Sequence, residues 1–217
     1  MSSLNKVVVV ATQNKGKVRE FAQAFGKMGI AVHSMYDYTG LPEIVEDGMT
    51  FAENARIKAR IVGEALGVVA LADDSGLAVA ALDGAPGVWS ARYAGENAAD
   101  ADNNAKLLSE LDSMGALVHD AEGALPQDAA LLSKASFECA LALYDPQTGS
   151  FQESHGSVDG YITNKPRGEG GFGYDPLFWL PSFNKTMAEL TTDEKQAISH
   201  RGEALRRLLE TVKFEEN

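Results

Sequence analysis

Two adjacent carboxylates, Asp73 and Asp74, have the side chains in this sequence best suited to catalysis. They follow the apolar run Val68–Ala72, which predicts a buried strand. Strand ends are where α/β proteins bind ligands, and neighbouring carboxylates there need a cation or a proton to compensate their charge. A solvated turn is the alternative for Asp-Asp-Ser-Gly taken alone.

A lysine-containing loop, Thr12–Lys17, follows the first predicted strand, Val7–Ala11. A helix is predicted to begin at Val18, so the loop lies at a helix N-terminus, where backbone N–H groups and the helix dipole favour anions. The loop is not a P-loop, because Val18 replaces the Ser or Thr that binds magnesium there. Lys15 and Lys17 are therefore either phosphate partners or solvated residues at a helix start.

A glycine-rich loop near residue 170 contains two aromatic residues. Gly168, Gly170 and Gly173 have G-x-G-x-x-G spacing, but no strand directly precedes them and no helix follows, which argues against a dinucleotide-binding fingerprint. Phe172 and Tyr174 are expected to be exposed and able to stack on a planar ring. The alternative is a plain turn with both aromatic rings in the core.

A further polar group lies near the C-terminus. Thr191 and Glu194 form a capping box for a helix that contains Lys195. His200 and Arg201 are expected at a break before the last helix, where they would supply several hydrogen-bond donors. A structural role for the histidine is the alternative.

The remaining pattern alternates strands and helices, which predicts an α/β fold. A strand is predicted over 31–36, and helices are predicted after the capping box of Thr50 and Glu53 and over 98–111.

The second half of the chain contains more strands. A hairpin is predicted between 136–144 and 151–158, and another strand over 177–180. The segment 113–133 has no clean period, so we expect a surface excursion with short helical character at 128–132.

Composition limits the function classes. There are 19 basic and 31 acidic residues, a net charge of −12, which argues against a nucleic-acid partner. Cys139 is the only cysteine, which fits a reducing, cytoplasmic location. The sequence has neither a signal peptide nor an apolar stretch of membrane-spanning length, so no membrane partner is expected.

Together these features indicate metal-assisted hydrolysis of a nucleotide phosphoanhydride. Lysines at a helix N-terminus can hold phosphates, carboxylates can hold Mg²⁺, and an aromatic loop can hold a base. The residues alone do not specify which bond is broken.

The sequence closely resembles the inosine/xanthosine triphosphate pyrophosphatases, over almost the whole chain. Six motifs carry the resemblance in order: Ala11–Lys17, Phe51–Ala55, Ala72–Leu77, Gly84–Gly87 with Ser90–Tyr93, Gly170–Pro176 and Ser199–Gly202. The segment 113–133 is where the resemblance is weakest.

The resemblance implies that residues 1–217 form one domain of two lobes around a long central mixed β-sheet flanked by helices, with the active site in the cleft. It implies a homodimer that uses Mg²⁺ to hydrolyse dITP, ITP or XTP to the monophosphate and pyrophosphate.

The family's roles can be carried over by position. The resemblance implies that Asp74 is the general base and a metal ligand, that Glu46 is the second metal ligand, and that Lys17 supplies catalytic charge. The implied substrate-binding residues are Thr12, Gln13, Asn14, Lys15, Gly16, Lys17, Lys58, Ser75, Phe172, Gly173, Tyr174, Asp175, Lys195, His200 and Arg201. Gln13 departs from the small residue expected there and could crowd the phosphates. Asp73 is not assigned a definite role.

Arg201 and Lys195 only donate hydrogen bonds, so they suit a 6-oxo purine and would leave a 6-amino group unpaired. Two alternatives remain: a Maf-like pyrophosphatase for other modified nucleotides, and a sensor that binds nucleotides without turnover.

Overall fold

A computed structural model describes residues 7–12 and 14–212, so the prediction for Gln13 lies outside the described residues. The chain forms a mixed seven-stranded sheet with flanking helices, which confirms the predicted α/β class. The strand order is β2-β1-β3-β4-β5-β6-β7. The strands are β1 (Val7–Val10), β2 (Ala31–Ser34), β3 (Ala70–Val79), β4 (Leu131–Asp145), β5 (Ser150–Thr163), β6 (Phe178–Leu180) and β7 (Lys185–Thr186). The helices are α1 (Lys15–Gly26), α2 (Phe51–Leu66), α3 (Asp100–Ser113), α4 (Thr192–Ile198) and α5 (His200–Thr211).

The valine run of β1 pairs in parallel with both β2 and β3. A parallel strand with neighbours on both sides needs apolar side chains on both faces, which explains the continuous run. Helix α1 begins at Lys15, three residues earlier than predicted, because the Asn14 side chain caps it by accepting hydrogen bonds from the N–H groups of Gly16 and Lys17.

Strand β3 corrects the expectation that the carboxylates lie at a strand end. The strand runs from Ala70 to Val79, so Asp73 and Asp74 lie within it. It continues because Leu77 and Val79 beyond the carboxylates are fully buried in a core. Consecutive side chains on a strand point to opposite faces, so the two carboxylates must have different surroundings.

The helix caps predicted from Thr50 with Glu53 and from Thr191 with Glu194 are confirmed. The break expected at His200 and Arg201 is displaced, because α4 ends at Ile198 and His200 is the first residue of α5.

The two strands of the predicted hairpin, β4 and β5, are neighbours in the sheet and are connected by residues 146–149. The helical character expected at 128–132 is wrong, because β4 begins at Leu131. The segment before it contains no helix after Ser113.

The chain divides into two compact units. Unit 1 comprises the described parts of Met1–Asp74, Cys139–Gly156 and Glu203–Asn217, and unit 2 comprises Ser75–Glu138 and Ser157–Gly202. Each unit has its own buried core, with Phe21 and Leu141 in unit 1 and Leu107 and Phe178 in unit 2. Within 7–12 and 14–212, no helix has the length and apolar character needed to cross a bilayer.

Candidate functional site

In unit 1, Lys58 connects two of the predicted site carboxylates. Its Nζ lies 2.8 Å from Oε2 of Glu46 and 2.9 Å from Oδ1 of Asp74. Asn54, one turn earlier on α2, donates from Nδ2 to Oδ2 of Asp74 (3.1 Å) and accepts at Oδ1 from the N–H of Gly48 (2.9 Å). Helix α2 therefore positions both the β3 carboxylate and the loop that carries Glu46.

Burial controls the electrostatics of this group. Burial raises the pKa of the Asp74 carboxyl above its usual value; Lys58 and Asn54 oppose the shift, and the nearby Glu46 adds to it. Burial alone would lower the pKa of Lys58, but the carboxylates of Asp74 and Glu46 outweigh it and raise that pKa. Lys58 is thus held as an ammonium, and Asp74 accepts a proton more readily than an exposed aspartate does.

The carboxylates of Glu46 and Asp74 fit the demands of a Mg²⁺ site, because both oxygens already converge on one positive charge. Magnesium is commonly held by one or two carboxylates, with water and substrate phosphates as the other ligands. Among the described residues, no group of three or more His, Cys, Asp or Glu side chains could hold a metal ion.

Asp73 forms a separate ion pair. Its Oδ2 lies 2.8 Å from Nζ of Lys17, and its side chain is fully buried while that of Lys17 is 15% exposed. Lys17 therefore compensates a buried carboxylate as well as being a candidate for phosphate binding.

The loop before α1 uses some of its donors internally. Asn14 Oδ1 accepts from the N–H groups of Gly16 and Lys17, and Thr12 Oγ1 accepts from the N–H of Asn14 (3.2 Å). These three N–H groups therefore already have side-chain acceptors within the loop, and the expectation that they bind an anion stays a prediction. The side chain of Lys15 is exposed.

In unit 2, the aromatic loop and the C-terminal cations come together. The ring of Phe172 is 40% exposed, with Nζ of Lys195 4.8 Å and Cζ of Arg201 6.0 Å from its centroid. Nη2 of Arg201 also donates to Oγ of Ser75 at 3.2 Å. An exposed aromatic face beside donor-only side chains is suited to binding a flat, carbonyl-bearing ring.

Asp175 supports this arrangement from below the surface. It is buried, its Oδ2 accepts from the N–H of Phe172 (3.0 Å), and the same oxygen is paired with Nζ of Lys195. Burial raises the pKa of the Asp175 carboxyl, and Lys195 opposes that shift.

The expectation of two exposed aromatic rings is wrong for Tyr174. It is only 4% exposed, packs in the core of unit 2 and donates its hydroxyl to the carbonyl of Ser90 (2.9 Å). It therefore anchors the loop, whereas Phe172 carries the accessible ring.

His200 is buried, and its ring stacks on Phe137 with centroids 5.1 Å apart. The structural alternative for this histidine thus has direct support. Asn54 was missed by sequence reasoning, although its position four residues before Lys58 on a capped helix was a usable signal.

Comparison with known proteins identifies similar sequences and structures. The sequence model of the Ham1 family matches residues 8–211. The dITP/XTP pyrophosphatase of Geobacillus kaustophilus is 50% identical over 203 residues, 94% of this chain and 92% of that protein. The one from Halalkalibacterium halodurans is 48% identical over 92% of this chain and 95% of its own.

The dITP/XTP pyrophosphatases of Streptococcus thermophilus are longer, and the chain spans 60% of their length at 46% identity. A solved HAM1 protein from Coxiella burnetii is 42% identical, with a TM-score of 0.79 over 93% of this chain and 95% of that one.

Proposed function

This chain belongs to the Ham1 family, and on that premise we propose that it hydrolyses dITP, ITP and XTP to the monophosphate and pyrophosphate. Relatives with the printed name dITP/XTP pyrophosphatase support the proposal. The observation that carries it is the group in which the largely buried Asp74 and the partly exposed Glu46 face the same ammonium of Lys58.

In this proposal Asp74 is the general base. It takes a proton from water, whose oxygen attacks the α-phosphorus while the bond from that phosphorus to the bridging oxygen of the β-phosphate breaks. The upward shift of the Asp74 pKa supports proton acceptance. Lys17 and Lys58, with Thr12, Gln13, Asn14, Lys15 and Gly16, bind the triphosphate and stabilise charge on the departing pyrophosphate.

Glu46 and Asp74 would hold Mg²⁺, which when bound neutralises phosphate charge. The charges of the ion-paired side chains support a requirement for Mg²⁺. Lys17 and Lys58 supply two positive charges, whereas Glu46, Asp73 and Asp74 supply three negative ones. A polyanionic triphosphate would be repelled by such a group unless a divalent cation accompanied it.

Unit 2 is proposed to recognise the base. Phe172 stacks on the purine, and Lys195 and Arg201 donate to its carbonyl oxygens. Donor-only side chains leave the 6-amino group of adenine unpaired, which disfavours adenine. Ser75, Gly173, Tyr174, Asp175 and His200 complete the proposed pocket, with Tyr174 and His200 contributing from the core.

The proposal extends to a single domain of two lobes, a homodimer and a cytoplasmic location, with neither nucleic acid nor membrane as partner. The net charge of −12 supports the exclusion of nucleic acid.

The direct test is product identity. Incubation with dITP and Mg²⁺ should yield dIMP and pyrophosphate in equal amounts, and chelation of Mg²⁺ should stop the reaction. Release of inorganic phosphate, or tight nucleotide binding without any product, would reject the pyrophosphatase and in the second case favour a sensor.

A further inference from the structure

Helix α3 binds both the N–H and the carbonyl of Gly173. The N–H of Gly173 donates to Oδ2 of Asp100 at 2.6 Å, and its carbonyl accepts from Nδ2 of Asn104 at 3.1 Å. Asp100 and Asn104 are one helical turn apart, so they share a face of α3. Gly173 has a φ of +64°, a backbone conformation that a glycine adopts without strain.

The helix that provides these two side chains is itself well anchored within unit 2. Leu107 and Leu111 are fully buried in the same core as Tyr174. Asn103 accepts from the N–H of Ala94 (2.8 Å) and donates to the carbonyl of Ala91 (3.2 Å). Helix α3 is therefore a fixed support rather than a freely moving one.

Gly173 lies between the two aromatic residues with opposite environments. Tyr174 is anchored in the core through its hydroxyl, and Phe172 presents a 40% exposed ring to the cations of Lys195 and Arg201. Fixing the Gly173 peptide limits rotation of the backbone that carries Phe172. The direction of that ring therefore depends on Asp100 and Asn104.

The Asn104 side chain also carries a desolvation penalty that lowers its contribution to folding stability. Its Oδ1 is buried, and no hydrogen-bond partner for it exists among residues 7–12 and 14–212. A buried unpaired oxygen offsets much of what the bond to Gly173 contributes to stability. Substitution by alanine should therefore change folding stability little while releasing the loop.

We propose that Asp100 and Asn104 are positioning residues that set the affinity for the purine base by holding Phe172 in place; this rests on the proposed recognition of the base by unit 2. Neither residue touches the substrate. Their removal affects binding of the base and leaves the chemistry at the phosphates unchanged.

The experiment compares Asp100→Ala, Asn104→Ala and the conservative Asp100→Asn, whose amide oxygen can still accept from Gly173. Asp102→Ala is the matched control, because Asp102 lies in the same first turn but accepts from Ala99. The readouts are KM and kcat for dITP, the same constants for ribose 5-triphosphate, which lacks a base, and the Kd of dITP. That Kd is measured by calorimetry with Mg²⁺ present and with Asp74→Asn added to every variant, so that turnover does not interfere.

The two alanine variants should raise KM and Kd for dITP about tenfold, the effect of losing one charge-assisted or buried hydrogen bond. Their kcat for dITP should change less than about twofold, because the lost interaction stabilises the bound substrate and the transition state equally. Constants for ribose 5-triphosphate should match the wild type, Asp100→Asn should restore dITP binding, and Asp102→Ala should behave as wild type.

The inference is overturned if the alanine variants bind dITP like Asp102→Ala, or if ribose 5-triphosphate is affected equally. A wild-type protein that binds dITP but releases no pyrophosphate would reject the proposed function instead. In that case the calorimetric Kd values alone still decide whether Asp100 and Asn104 position the base platform.

Discussion

At the residue scale, Asp73 and Asp74 differ because a strand directs consecutive side chains to opposite faces. Asp73 is fully buried against Lys17, whereas Asp74 accepts from both Lys58 and Asn54. The first arrangement resembles a structural ion pair. The second leaves a carboxylate among polar groups with Glu46 nearby, which is the environment that a general base requires.

Replacing Asp74 with asparagine should remove the base while preserving its shape. We expect pyrophosphate release from dITP to fall about a thousandfold, within the range attributed to general-base catalysis. The exposed Asp128, in the segment before β4, provides the control Asp128→Asn, which should retain wild-type activity. Asp74→Asn activity above about a tenth of wild type would assign the base to another group.

Lys17 should have a structural role that Lys15 lacks. Lys17→Met removes the ion pair with the buried Asp73 and should lower the free energy of unfolding by about 3 kcal/mol. The exposed Lys15→Met should change it by less than about 0.5 kcal/mol. Denaturant unfolding of both variants measures the difference.

The double variant Lys17→Met/Asp73→Asn separates the two roles of Lys17. Removing both charges should recover most of the lost stability, while dITP hydrolysis stays low because the phosphate-binding charge is missing. Full recovery of activity together with stability would restrict Lys17 to a structural role.

At the element scale, the loop between β5 and β6 depends on glycine at a specific position. Gly171 has a φ of +76°, and a Cβ there would collide with Oδ2 of Asp175. That oxygen binds both the N–H of Phe172 and Lys195. The loop can form this contact only without a side chain at residue 171.

Gly171→Ala should therefore raise KM for dITP about tenfold, from the strain of a left-handed residue and displacement of Asp175. Gly26→Ala, at the end of α1 where a Cβ meets nothing within 4 Å, is the control and should leave KM unchanged. Steady-state kinetics at several dITP concentrations measures both. An unchanged KM for Gly171→Ala would show that the loop is not part of base binding.

Elements with strong local signals were predictable from the sequence. The valine run of β1 and the capping boxes of α2 and α4 rely on neighbours within a few residues. The continuation of β3 through Asp73 and Asp74 was not predictable, because aspartate disfavours strands and the lysines that pair with these carboxylates, Lys17 and Lys58, are distant in the sequence. The buried position of Tyr174 likewise depends on Ser90, 84 residues away.

At the scale of the whole molecule, a strongly acidic chain is proposed to bind a polyanion. The net charge of −12 would repel a nucleoside triphosphate. Two of the lysines that could attract it, Lys17 and Lys58, are already paired with carboxylates. A triphosphate that binds together with Mg²⁺ carries less negative charge and is repelled less. The proposed nucleotide hydrolysis is therefore expected to depend on the metal.

Site residues were therefore nominated from the sequence more readily than their partners. Residue type and position after a predicted strand nominated Asp74, whereas Glu46 and Lys58 were nominated only through the family resemblance. The different surroundings of Asp73 and Asp74 could be inferred only once the strand was known to run through both residues. The supporting residues Asn54, Asp100 and Asn104 could be identified only from tertiary contacts.

The central claim is selectivity for deaminated purines, and kcat/KM for dITP, XTP, dGTP and dATP tests it most directly. Because donor-only side chains leave the 6-amino group of adenine unpaired, kcat/KM for dITP and XTP should exceed that for dATP by at least about a hundredfold in the presence of Mg²⁺. The proposed selectivity for deaminated purines requires dGTP, which keeps its 2-amino group, to be a slower substrate as well. Equal kcat/KM values for all four nucleotides would contradict the account.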